Sequence, residues 1–160
     1  MDNKLVFIGL CFGAGENHGI SNYYIAKNVA EEMHVEQCAG IVQWELYEII
    51  QEKFFNQIEG LPLYVMTTKG KDLDTFDVLC RAAGLVQEKG FRYITYVGHP
   101  ALLWLVRSIA FKLGIPEYEK RKYQIPYDPN SSQWRTRSWW QFWFFWEIPV
   151  IILWSFMGRL

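Results

Sequence analysis

Apolar residues recur in two rhythms along this chain, and the rhythms alternate. Lys4 to Phe12 (KLVFIGLCF) is a nearly continuous apolar run closed by Gly13, which suits a strand buried on both faces. From Ser21, a favourable N-cap, to Met33 the positions Ile25, Val29 and Met33 recur every four residues beside Ala26 and Ala30, which predicts a helix. Cys38 to Val42 then reads as a second strand. Trp44 to Ile58 reads as a helix burying Leu46, Ile49, Ile50, Phe54 and Ile58, and Leu61 to Met66 as a third strand. A third helix is predicted from Asp74 to Lys89, with Phe76, Leu79, Cys80, Ala83 and Val86 inward and Gly90 as its stop. Arg92 to Val97 gives a fourth strand. Pro100 opens a helix whose buried stripe is Leu102, Leu105, Val106, Ile109 and Leu113, ended by Gly114. A short strand is expected near Lys122 to Ile125, and an aromatic-rich C-terminal helix over about residues 138–157, packed on the body.

Strands alternating with helices imply an α/β fold: a Rossmann-like three-layer sandwich, with a mostly parallel sheet, helices on both faces and right-handed crossovers. The 160 residues fit a single domain with one continuous core. A formal net charge of −1 argues against a nucleic-acid surface, which needs clustered Lys and Arg in excess. Cys11, Cys38 and Cys80 are an odd number with no CxxC pair, so neither a disulfide framework nor a metal site is suggested. The apolar run at the N-terminus is too short for a secretory signal or a membrane span, so a cytoplasmic location is expected.

In a parallel sheet the loops that follow the strands emerge on one edge, where ligands of open α/β sheets bind. That edge collects Gly13, Gly15, Glu16 and Asn17 after the first strand, Glu45 after the second, Lys69, Asp72 and Thr75 after the third, and His99 after the fourth. These are the candidate ligand contacts. The loop Gly13-Ala14-Gly15-Glu16-Asn17-His18-Gly19 is one residue longer than the dinucleotide fingerprint between its second and third glycines. Two readings of it stay open: a turn needing positive φ, or an anion cradle at a helix N-terminus. No GxxxxGK[ST] sequence is present. Cys11 is either core packing or a nucleophile beside His99. Glu45, Asp72 and Thr75 could serve as helix starts as well as ligand contacts, and His99 could be a cap or face the ligand. In a catalytic reading, His99 and Glu45 are the general acid and base candidates.

Four short motifs in this order resemble the domain family that includes the bacterial proteins YdcF, SanA and ElyC. They are Cys11-Phe12-Gly13-Ala14-Gly15, Gln43-Trp44-Glu45, Asp72-Leu73-Asp74-Thr75-Phe76-Asp77 and Tyr96-Val97-Gly98-His99-Pro100, and together they span most of the chain. Family members often carry a second His and an Arg soon after the first His, where this chain has Leu102 and Leu105. The Asn usual before the Thr is Asp74 here, which marks a divergent member. The resemblance implies a Rossmann-like ligand pocket, S-adenosylmethionine binding as in one branch, and a link to cell-envelope processes as in others.

Six of the eight tryptophans lie at or after Trp134, in a segment with Arg135, Arg137 and Arg159 near its ends. Glu147 and Pro149 near its centre disfavour a membrane span. The segment is expected to fill the core, form a homodimer interface, or lie on a membrane surface. The reading as a whole is a cytoplasmic protein, peripheral to the membrane if it meets one, binding a nucleotide-like or S-adenosylmethionine-like ligand at the loop rim. Two alternatives stand beside it. One is an interaction or membrane-surface module using the aromatic tail; the other is an NAD(P)-dependent oxidoreductase, which the glycine spacing and the lack of an acid closing the second strand at the ribose distance disfavour.

Overall fold

Val6, Phe7 and Ile8 are consecutive and fully buried, which a strand achieves when both faces of its sheet are covered. The computed structural model describes residues 4–12, 19–68, 74–131, 133, 137, 138, 141, 143 and 148–156. Its strands are β1 (Leu5–Gly9), β2 (Ala39–Val42), β3 (Leu63–Val65) and β4 (Tyr93–Val97). Its helices are α1 (Gly19–Glu36), α2 (Trp44–Ile49), α3 (Thr75–Lys89), α4 (Pro100–Lys112) and α5 (Ile148–Phe156). The sheet has the order β3-β2-β1-β4 and all its pairings are parallel, with Phe7 level with Gly40 on one side and Thr95 on the other.

This order makes the connections change direction at β1. The crossovers through α1 and α2 step one way and the crossover through α3 steps back past β1 to β4. Right-handed connections therefore put α1 and α2 on one face and α3 on the other. Packing agrees, since α1 lies against α2 and α3 against α4. The α/β sandwich expected from the sequence is the fold observed. Gly9 allows the close approach on the first face, because a Cβ there would stand 2.9 Å from Val29 and 3.0 Å from Leu46.

Several local expectations are corrected. Leu46, Ile49, Ile50, Phe54 and Ile58 are all buried as predicted, but α2 passes into a π-helical turn at Ile50–Phe54 and a 3-10 turn at Phe55–Gln57. Apolar residues at 46, 50 and 54 are spaced by four, which overruns a 3.6-residue turn, and the wider turn takes up the difference. Ser21 is no N-cap; it lies buried inside α1, its hydroxyl donating to the Pro126 carbonyl at 2.7 Å. Cys80 is exposed, because the buried stripe of α3 runs through Val78, Leu79, Ala82, Ala83 and Val86. Among the described residues, no helix is long and apolar enough to cross a membrane.

Lys122–Ile125 is not a strand but part of an extended strap lying along α1. Its side chains are committed to the helix instead of its backbone to a ladder. Arg121 bonds Glu32, reaches Glu36 at 2.7 Å and Glu119 at 3.0 Å, and its guanidinium stands 5.2 Å from the Phe7 ring centroid. The Tyr123 hydroxyl donates to Glu32 at 3.1 Å. At the other end, Pro126 and Asp128 bond Ser21 and Ile20 in the first turn of α1. The lengths match: extended chain from 121 to 128 covers about 23 Å and helix from 36 to 20 about 24 Å.

The Arg121 cluster is mostly shielded, so its loss strands carboxylates that packing holds together. Arg121→Ala is expected to lower the free energy of unfolding by about 2 kcal/mol, and Arg121→Lys to recover less than half of it, since an ammonium lacks the planar fork. Urea denaturation measures both. A loss below about 0.5 kcal/mol for the alanine variant would place the cluster among ordinary surface ion pairs.

Candidate functional site

The strand order reverses at β1, which makes the carboxyl ends of β1 and β4 the switch point, the position where doubly wound sheets bind ligands. Two amides fix the chain as it leaves β1. The Cys11 N–H donates to Gln43 Oε1 at 2.7 Å, and the Phe12 N–H donates to Asn22 Oδ1 at 2.8 Å. Cys11 and Phe12 then serve different neighbours. The Cys11 thiol donates to Glu45 Oε2 at 3.6 Å, whereas the Phe12 ring stacks on His99 with centroids 3.9 Å apart and planes 11° from parallel. Burial first, and the Glu45 charge second, push the Cys11 thiol well above its ordinary value. It is protonated at neutral pH, as packing requires and a nucleophile does not.

His99 is the N-cap of α4. Its Nδ1 accepts the Ala101 N–H at 3.2 Å, and Pro100 supplies a first helical residue with no N–H to satisfy. A backbone amide can only donate, so Nδ1 carries the lone pair and the proton of the neutral ring sits on Nε2. That N–H is buried, with no hydrogen-bond partner among the described residues, in a side chain 3 % exposed. Tyr127 from the strap completes an aromatic group around it, its ring centroid 4.2 Å from that of His99 and 5.6 Å from that of Phe12.

Of the candidate contacts, Glu45 and His99 lie on this rim, joined through the adjacent residues Cys11 and Phe12 without touching each other. Thr75 opens α3, with Asp74 as its cap accepting the Asp77 N–H at 2.8 Å; no hydrogen bond ties Thr75 to Glu45 or His99. Gly13, Gly15, Glu16, Asn17, Lys69 and Asp72 lie outside the described residues. Residues to which sequence reasoning gave no role of their own include Asn22, Gln43, Tyr127 and Asp128, whereas Thr67 belongs to the loop after the third strand that it placed at this edge. Thr67 is buried and accepts the Trp44 N–H at 2.8 Å, satisfying the start of α2. Tyr127-Asp128-Pro129-Asn130 did carry a turn signal in its composition.

A comparison of the chain with protein-family models, with curated proteins and with solved structures matches none of them.

Burial lowers the His99 pKa from 6.5 to about 4, so the native imidazole is neutral where an unfolded one is charged. Above 6.5 neither state holds the proton and below 4 both do. Between these values the unfolded chain binds one more, and stability falls as pH drops through the window. His99→Asn keeps a cap acceptor and removes the titration. The wild type should lose up to about 3 kcal/mol more than this variant between pH 6.5 and 4, measured by urea denaturation at each pH. Parallel stability curves would show that burial does not hold the ring neutral.

Proposed function

We propose that the chain is a small-molecule-binding protein whose ligand occupies the crevice between β1 and β4 and accepts a hydrogen bond from His99 Nε2. The observation that carries this reading is the buried N–H of His99, without a hydrogen-bond partner among the described residues, at the reversal of the sheet. Leaving such a donor unsatisfied costs stability that a ligand acceptor recovers, and polar groups kept at that cost concentrate at functional sites. Phe12 and Tyr127 offer aromatic surface beside it, which suits a ring-bearing, nucleotide-like or S-adenosylmethionine-like molecule. The resemblance to the YdcF, SanA and ElyC family favours the same edge. Glu45 contacts Cys11 and not His99, so the proposal rests on His99 and assigns Glu45 no direct contact.

His99 is too enclosed for a ligand to reach without movement of Tyr127 or its neighbours, and a ligand bound to the native form should raise the unfolding temperature. A thermal-shift and calorimetric screen of nucleosides, nucleotides, S-adenosylmethionine and sugar phosphates tests the reading. The expected result is a hit whose affinity falls about 10- to 100-fold in His99→Asn, the range for one buried hydrogen bond. Equal affinity in the variant would remove the assignment.

A second reading has its own observation. Helix α5 exposes Ile148, Ile152, Leu153 and Phe156, the last at 87 %, while Trp143 stacks on Trp104 of α4 and ties the preceding segment to the body. Apolar surface of this kind, in a sequence segment with three arginines and one acid, fits docking on an anionic membrane surface. Flotation with vesicles containing phosphatidylserine should retain the full chain and lose the Ile152→Glu, Phe156→Glu variant. Flotation of both to the same extent would dismiss the reading.

A further inference from the structure

The first helix after β1 is where a doubly wound sheet seats a ligand's phosphate, because free N–H groups and the helix dipole converge there. In this protein that end already holds a carboxylate. Asp128 Oδ2 accepts the Ile20 N–H at 3.2 Å, and a Cβ built on Gly19 would stand 2.5 Å from the same oxygen. Gly19 also has φ of +71°, so the carboxylate lies against a backbone position that a side chain would fill and strain. Asp128 Oδ1 accepts the Asn130 N–H at 2.9 Å, and the residue is 7 % exposed. The placement is braced along the whole strap, by Arg121 at the far end of α1 and by the Ser21 hydroxyl on Pro126 beside it.

The helix on the other side of the crevice is closed as well. In α4, Pro100 has no N–H, Ala101 donates to His99 Nδ1, and Leu102 and Leu103 both donate to the His99 carbonyl. Among the described residues, the donor left over at the crevice is the His99 Nε2 N–H, on an uncharged ring in contact with the Tyr127 that precedes Asp128. A neutral donor flanked by aromatic rings, one of them the Tyr127 whose chain neighbour is the Asp128 carboxylate, suits an uncharged acceptor such as a carbonyl, hydroxyl or ring nitrogen.

We infer that Asp128 is an internal counter-anion filling the N-terminal end of α1, so that the crevice selects ligands carrying no phosphate there. This deepens the crevice reading above and rests on it for the ligand, but the filled anion seat can be tested without one. Inorganic phosphate is the probe. Melting temperatures of the wild type, Asp128→Ser and Asp128→Asn are measured in sodium phosphate against sodium chloride of matched ionic strength. The wild type should respond equally to both salts. Asp128→Ser should melt lower in chloride and gain about 4 °C in phosphate, the shift for a ligand at roughly ten times its Kd. Asp128→Asn, which keeps the acceptor and loses the charge, should gain in the same direction and decides the matter if the serine variant does not fold.

Stabilisation of the wild type by phosphate equal to that of the variants would overturn the inference, and so would folded variants that gain nothing. A parallel titration with adenosine and AMP reads the selection itself: adenosine is expected to bind the wild type at least 10-fold more tightly, and tighter binding of AMP would overturn it. Absence of binding by every organic probe would instead count against the crevice reading, and leaves the phosphate comparison to decide the role of Asp128.

Discussion

Everything in this molecule that resembles a site depends on β1 having neighbours reached from opposite directions. Because the chain steps from β1 to β2 and β3 and then returns to β4, no helix among the described residues bridges the carboxyl ends of β1 and β4, and the first residues leaving those two strands meet. Phe12 and His99 are the residues that meet there. Their stacking follows from register: the two strands are level from Leu5 and Tyr93 to Gly9 and Val97, so their exits are level too.

The strap converts this open geometry into a closed one. Its two ends are held by different physics, a guanidinium among three carboxylates at one and a carboxylate on a helix N-terminus at the other. Both act on α1, and between them the strap carries Tyr127 onto His99. The same helix is thus buried against β1, charged toward the strap and capped by it. A donor at the crevice is kept neutral by burial and oriented by its own capping bond, a division of labour between the two imidazole nitrogens.

Much of the framework was legible in the residues. Short apolar-rich runs marked the strands of the sheet, most plainly β1 and β2, which are buried on both faces, and the stripe Ile25, Val29, Met33 marked α1. His99 was legible as a residue at the sheet edge, since Gly98 and Pro100 frame a helix start whatever the tertiary structure. What escaped were features made by distant segments. Ser21 looked like a cap because its partner, 105 residues away, does not show in local sequence. Lys122–Ile125 looked like a strand because alternating polarity is the same whether the inward side chains pack on a sheet neighbour or, like Tyr123 here, on a helix. Asp128 acts on a residue 108 positions earlier, beyond any periodicity.

The account turns on one proton, the one assigned to Nε2 of a neutral His99. Nitrogen-15 chemical shifts of the imidazole, recorded on the labelled protein at neutral pH with His99 assigned by substitution, read its position directly. The account predicts an uncharged ring with a protonated Nε2 and a bare Nδ1. A cationic ring, or a proton on Nδ1, would contradict it.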